Sequence, residues 1–555
     1  MSVFIGYPSF MAYQMMKGKK GNNDGFPSIP GMIARYSALG LTNEQMATNP
    51  VWVDKTGNGH DLQLKNLAWG GMSGVGGYEM NFNLWRNNVS GIPDISMSTT
   101  TTSVSVSVGN STYNNNLIYI HISNWDINKN HWLKVTSTYE DGDLAFIFYN
   151  KGNAKKIGLP ANGYVNILAY PEFKGNFMYI STTSNKQGSF TIEQLPLYPG
   201  ALVFDGVDDY GVCENFPILT KEKGYTVIAL RQRISMGEGI SGLVSNAKNW
   251  FKDGAFILEY SYTKNSYFNR PVSFGAIGGE KDLPHILTYQ TSKSYNGVSI
   301  VVGSFIGTDQ LYVGKINNII ENCTNAAIWE LVILDHDATE EELTKIKDYF
   351  VKTYPWLFFD QAWTVVGKTN EDEDRTTIAN ITGNGNNLVL SNFGFIEGSG
   401  YNEEGEYAGY LVTDGVDDKA VSKQFKFGKN FTVILDFKFP VKKISYCGFD
   451  LSSKVRIQSL QGSGVYVVLK GNRTLIPSNV VRAVTSEGKV YDENWNEYNI
   501  VPGNISSNYT MVNLGFDGSN QFAESATKLA GIYSSTLSKD DCIKAYNYLQ
   551  TLKAK

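Results

Sequence analysis

Asp205-Gly206-Val207-Asp208-Asp209 is written again as Asp414-Gly415-Val416-Asp417-Asp418, and Thr56-Gly57-Asn58-Gly59-His60-Asp61-Leu62 as Thr382-Gly383-Asn384-Gly385-Asn386-Asn387-Leu388. A chain that repeats two separated phrases in one order repeats a fold, and the copies set the domain limits. The Thr-Gly-Asn-Gly phrases lie 326 positions apart (382 − 56), the acidic phrases 209 (414 − 205). The difference, 117 (326 − 209), is the length of an insertion in the first copy. Surface loops tolerate such insertions because closure entropy grows only logarithmically with length. Beyond the acidic phrase the offset barely drifts: 206 from Thr226 to Thr432, 199 from Thr339 to Ser538.

Reading outward, both copies open with Thr-Asn-Glu, at Thr42-Asn43-Glu44 and Thr369-Asn370-Glu371. Leu62/Leu64 and Leu388/Leu390 alternate as strands leaving the glycine turns. Each copy closes with an apolar strand and a helix. Thr339 with Glu342 fits a capping box; Ser538 with Asp541 has the spacing with a shorter acid. The insertion alternates cleanly at Val104-Ser105-Val106-Ser107-Val108, and further apolar runs follow at 117–122, 144–149, 164–168, 177–180 and 190–192. Six or seven short strands between turns predict a small β-sandwich. The expected organisation is an N-terminal arm (1–30), a discontinuous first domain (31–78 and 200–353), an inserted β-sandwich (79–199) and a second domain (358–555). The Ser/Thr tract from Ser98 to Ser107 reads as an exposed sheet edge.

Composition agrees with an all-β chain. Glycine (55), tyrosine (33) and phenylalanine (29) are plentiful and only 18% of residues are charged. A net charge of −5 lacks the basic face that nucleic acid needs. The four cysteines do not recur between copies and make no CxxC, so free thiols are expected rather than disulfides or zinc. The start shows no secretory signal, and no apolar run reaches membrane-spanning length.

The order of strand, glycine turn, acidic turn, meander, closing strand and helix resembles the concanavalin A-like, laminin-G-like jelly roll. Gly367-Lys368-Thr369-Asn370-Glu371-Asp372-Glu373-Asp374, Leu388-Val389-Leu390-Ser391-Asn392-Phe393 and Leu202-Val203-Phe204 running into the acidic turn resemble phrases of virion fibre and head-decoration proteins of crAss-like phages of gut Bacteroidetes. The resemblance implies a non-enzymatic structural or glycan-binding role, a virion location after synthesis in host cytoplasm, and homo-oligomerisation, trimer first and dimer second. Attachment to other capsid or virion proteins is then expected through the N-terminal region, with host-surface or mucosal glycan a further partner and neither nucleic acid nor membrane. A phage tail fibre or receptor-binding protein, or a bacterial surface glycan-binding protein of the same fold, is the alternative.

No cofactor is expected, with calcium the one candidate. Asp205, Asp208, Asp209 and Asp414, Asp417, Asp418 offer clustered hard oxygens, as laminin-G relatives use. A β-turn closed by aspartate is the favoured account of the same residues. Trp125, Trp132, Tyr139 and Trp250 are candidate sugar-stacking platforms, each set against an ordinary core or rim role. Catalysis is not expected: no strand carries the alternating carboxylates of laminarinase-type hydrolysis, Glu371 to Asp374 reads as a solvated loop, and the histidines never fall at metal spacing.

Overall fold

The computed structural model describes residues 24–78, 86–87, 95–100, 102–109, 117–118, 120–121, 132–141, 143–150, 153–166, 177–182, 187–220, 222–235, 241–247, 254–263, 266–270, 287–299, 307–316, 323–439, 447–452, 454–460, 464–503, 508–517 and 521–554. The chain is all-β, with antiparallel sheets throughout and a short helix closing each copy. It divides into two compact units, Met1–Gly77 with Gly200–Tyr354, and Tyr78–Pro199 with Pro355–Lys555.

In the first unit one sheet runs, edge to edge, Val298–Ser299, Ser294–Tyr295, Leu287–Thr291, Thr226–Ser235, Asn325–Leu334, Leu202–Asp205, Gly74–Val75. Met32–Ser37 lines up beside Leu202–Asp205, on the same flank of the long closing strand. The second sheet runs Val51–Trp52, Leu62–Lys65, Tyr210–Cys213, Leu311–Val313, Val244–Ala247, Gly254–Thr263, Ser266–Arg270. Apolar residues of alternating strands, Tyr36, Phe204, Val227, Leu243 and Ile328 among them, form the core.

The second copy repeats this order strand for strand. Its first sheet runs Glu497–Asn499, Lys489–Tyr491, Val480–Thr485, Thr432–Lys438, Glu524–Tyr533, Tyr410–Asp414, Gly400–Asn402, with Gln361–Thr364 again on the flank of the closing strand. Its second runs Thr377–Ile378, Leu388–Ser391, Lys419–Ser422, Val512–Leu514, Cys447–Leu451, Val455–Leu460, Gly464–Leu469, and adds Asn472–Ile476 at the edge. The bulge in the closing strand recurs as well. Leu230 faces Glu330 while Arg231 faces Ile328, so Trp329 bulges; Asp436 faces Leu529 while Phe437 faces Thr527, so Lys528 bulges. These are two jelly-roll sandwiches of one topology.

Within the insertion a five-stranded sheet runs Asn162–Asn166, Trp132–Ser137, Gly188–Gln194, Ser103–Val108, Ile95–Thr99. A four-stranded sheet runs Asn153–Leu159, Leu144–Asn150, Phe177–Thr182, Leu117–Ile118. Val104, Val106 and Val108 are buried on one face of their strand, as the alternation requires. The Ser/Thr tract falls on the edge strand and its neighbour. From Asp24 the N-terminal segment is packed down: Phe26 lies against Tyr349 and under the Arg35 guanidinium, 3.9 Å from its ring centre. All four cysteines are free and buried. No helix among the described residues is long and apolar enough to cross a membrane.

The helix Glu340–Thr353 starts at Thr339 with both halves of the capping box formed. At Lys539–Gln550 the Ser538 hydroxyl accepts from the Asp541 N–H, but the Asp541 carboxylate receives the Ser538 hydroxyl rather than its backbone N–H. The shorter acid does not reach that far. Beneath each helix lies a buried ion cluster. Glu330 accepts from Arg35 (3.1 Å) and from the Tyr354 hydroxyl (2.7 Å). In the second copy Asp436 pairs with Arg482 and accepts from the Tyr410 and Tyr546 hydroxyls (2.8 and 2.9 Å) and Gln550 (2.9 Å). The two carboxylates occupy the same cross-strand pair from opposite strands, Leu230–Glu330 against Asp436–Leu529.

Candidate functional site

Each acidic turn carries the chain from one sheet to the other, from Leu202–Asp205 to Tyr210–Cys213 and from Tyr410–Asp414 to Lys419–Ser422. The last aspartate folds back to the first. Asp209 Oδ2 accepts the Asp205 N–H (3.0 Å), and Asp418 Oδ2 the Asp414 N–H (2.9 Å). The first aspartate closes the tip, Asp205 Oδ1 accepting from Val207 (2.8 Å) and Asp414 Oδ1 from Val416 (2.7 Å). Asp209 and Asp418 are each 1% exposed. Burial pushes both carboxyls up to about 6; the backbone N–H bond and a serine (Ser73, Ser399) pull the other way, while the neighbouring aspartates add to the rise.

In each turn one oxygen per aspartate lies within 4.8 Å of the others. That is hard-cation chemistry, yet much of the donor set is spent. Asp418 Oδ1 already takes the Ser399 hydroxyl (3.1 Å) and its Oδ2 the Asp414 N–H, leaving the exposed Asp417 and one oxygen of Asp414. Calcium takes six to eight oxygens, so these carboxylates alone do not complete a shell.

A carboxyl whose folded pKa stands above its ordinary value favours folding below that value, and this contribution is lost as pH rises from about 4 to about 6. Asp418→Asn keeps an acceptor and removes the charge. In chelator the variant is expected to be more stable than the parent at pH 7, by up to about 3 kcal/mol, with the difference gone near pH 4. Thermal melts across that range check it. Calcium predicts the reverse order once the ion is added, because only the parent keeps the ligand; an unchanged order leaves the turns as closures alone.

The loop beside each turn is held by the Thr-Asn-Glu asparagines, whose task the sequence did not disclose. Asn43 bonds both sides of the Val75 backbone (N–H to Oδ1 2.7 Å, Nδ2 to C=O 3.2 Å), and Asn370 does the same to Tyr401 (2.8 and 2.9 Å). Asn66 and Asn392 donate to the carbonyls of Asp208 and Asp417, both at 3.1 Å, from left-handed backbone (φ 67° and 71°). The Thr-Gly-Asn-Gly turns are clips as well. Thr56 bonds Asp54 (2.8 Å) where Thr382 bonds Asn380 (2.6 Å), and the Asn58 and Asn384 amides reach the opening strand region at Ile33 and Asp360. The recurrent motifs thus build scaffold.

Of the sugar-stacking candidates, Trp125 and Trp250 lie outside the described residues. Trp132 begins the strand Trp132–Ser137. Tyr139 corrects the expectation: it is 5% exposed, close against Gly188, and offers no open ring face. Other aromatics do meet charge at the surface. Lys315 lies 3.7 Å from the Tyr210 ring centre, and Lys419 lies 5.8 Å from Phe516, with ring and cation exchanged between strands of the two copies.

No protein-family model matches the chain, and no curated protein does. Among solved structures it is similar to the receptor-binding domain of botulinum neurotoxin mosaic serotype C/D, at 12% identity over 34% of this chain and 50% of that one, with TM-score 0.24. The chain therefore spans about half the length of that domain. It is also similar to Trypanosoma rangeli sialidase in complex with sialic acid (10% identity, 83% of this chain and 85% of that, TM-score 0.25). A mutant of that sialidase displaying trans-sialidase activity matches at 8% identity, over 85% and 86%, with TM-score 0.27. Likeness this distant assigns no activity, ligand or partner. One expectation is corrected: sialidases stand among these structural neighbours, and not every glycosidase uses a pair of carboxylates, so the missing pair does not exclude catalysis. That exclusion is withdrawn.

Proposed function

We propose that the chain is a structural subunit of a phage virion, a head fibre or capsid decoration that displays its sandwiches for attachment to host-surface or mucosal glycan. The supporting observation is the duplication. Two sandwiches share one strand order and the bulge in the closing strand, while equivalent positions on the outer sides of their sheets differ: half-buried Lys528 and Lys438 stand where the first copy buries Trp329 and Gln232, and Lys419 stands where it has Tyr210. A constant frame under changing faces suits a display protein, whose specificity lives in sites grafted on the fold. The phrase resemblance to crAss-like phage proteins supplies the virion setting, and closed cyclic assembly would present several copies at once. Mass spectrometry of purified virions is expected to find the chain at a stoichiometry typical of a surface protein; virions without it overturn the reading. A glycan array run with the whole chain tests the attachment half.

A further inference from the structure

The outer face of the second sandwich's first sheet carries an imbalance of charge. Its register sets Tyr410 beside Lys528, Lys528 at the bulge beside Asp436, and Lys438 two residues along from Asp436. Asp436 is saturated: Arg482 and Tyr410 occupy Oδ1, Tyr546 and Gln550 occupy Oδ2. Its single negative charge is thereby matched by Arg482. Lys438 and Lys528 make no ion pair among the described residues, though both are half-buried. Burial holds both ammonium groups below their ordinary pKa; Arg482 adds to this, and Asp436 opposes it, joined for Lys438 by the exposed Glu406. Arg482 already neutralises Asp436, so the attraction of two further half-buried cations to it does not offset their burial.

Their placement suggests a reason. Lys438 Nζ lies 4.4 Å and Lys528 Nζ 5.9 Å from the centre of the same Tyr410 ring, and Lys438 also lies 5.9 Å from the half-buried Tyr407. Tyr407 sits on the short connection between Gly400–Asn402 and Tyr410–Asp414 and packs against Tyr410, Val412 and Ala526. Two cations flanking aromatic surface, neither in an ion pair among the described residues, match a ligand with an anionic group on an apolar-faced ring. The first sandwich lacks the arrangement, having buried Trp329 for Lys528 and Gln232 for Lys438.

We infer that this face is a subsite for an acidic saccharide, a carboxylate or sulfate bound between Lys438 and Lys528 and the pyranose against Tyr407. The inference rests on the glycan-binding reading and narrows it to one surface and one ligand class. Calorimetry with the full chain tests it, using an oligogalacturonide, a heparin-derived oligosaccharide, a neutral cello-oligosaccharide and sodium sulfate. One acidic oligosaccharide is expected to bind, more weakly as salt rises. K438Q with K528Q is expected to weaken it at least tenfold, and Tyr407→Ala several-fold. The double variant removes the burial cost of two ammonium groups, which outweighs their attraction to Asp436, so its melting temperature is expected to hold or rise, which separates lost binding from lost fold. Acidic binding that survives the substitutions, or sulfate binding as tightly as the saccharide, overturns the inference. Binding of the neutral sugar alone overturns it and spares the glycan reading; no binding by any sugar counts against both.

Discussion

Asp436→Ala is expected to destabilise the second sandwich by about 3–5 kcal/mol, the usual cost of deleting one partner from a buried ion pair. The removed carboxylate neutralises Arg482, which is 5% exposed, and receives two tyrosine hydroxyls and the Gln550 amide. All of these lose their acceptor together, with Lys438 and Lys528 still nearby. Urea unfolding of the full chain, followed through the transition of this sandwich, measures the loss. Asp436→Ala with Arg482→Met should recover much of it, because removing both charges leaves neither stranded; a double variant no better than the single one contradicts this account. The pH signature differs from that of Asp418. Burial alone would raise Asp436, but Arg482 first, then Lys528, Lys438 and the Tyr410 hydroxyl, hold it well below the carboxylate range. Its contribution is therefore present above the ordinary carboxylate pKa and is lost only as pH falls below it.

Gly400→Ala is expected to cost about 3–5 kcal/mol, combining backbone strain with overpacking. Gly400 sits at φ +149°, and a Cβ there would stand 2.5 Å from Asn370 Oδ1 and 2.8 Å from the Phe395 Cα. The methyl group strikes the clamp that fixes Tyr401. Gly74 in the first copy repeats the arrangement against Asn43, also at 2.5 Å, so Gly74→Ala should act alike. Gly409→Ala is the control: its φ is +78° but nothing lies within 4 Å of its would-be Cβ, so it should show only the smaller conformational penalty. Equal losses at Gly400 and Gly409 would remove the clamp from the explanation.

The repeated phrases made the frame legible because each codes a local clip: a glycine turn, an aspartate closing its own crossover, a threonine capping a helix. Such contacts span a few residues and leave a mark in sequence. The Asp436–Arg482 pair spans 46 residues and has no counterpart at matching positions, since the first copy puts its carboxylate on the facing strand at Glu330. No comparison of the copies could find it. The Asn43 and Asn370 clamps were visible as a recurrence, but their partners lie 32 and 31 residues on, and only coordinates join them. Burial of Tyr139 leaves no mark in the sequence, because a tyrosine just past a strand does not reveal which way its ring turns. The insertion's Asn153–Leu159 carried no signal because Lys155-Lys156 break the alternation of apolar residues that marks a strand, and Ile95–Thr99 offers only two apolar residues, Ile95 and Met97.

Gly74–Val75 and Leu202–Asp205 are hydrogen-bonded neighbours, yet the whole insertion lies between them in sequence. The second sandwich joins the equivalent pair, Gly400–Asn402 and Tyr410–Asp414, by a seven-residue link, 403–409 (409 − 402). The added module therefore departs and returns through adjacent doorposts of one wall, and the strand order around it is the same as in the copy that lacks it. A lineage could trade such a cassette for another, or shed it, while keeping the same chassis.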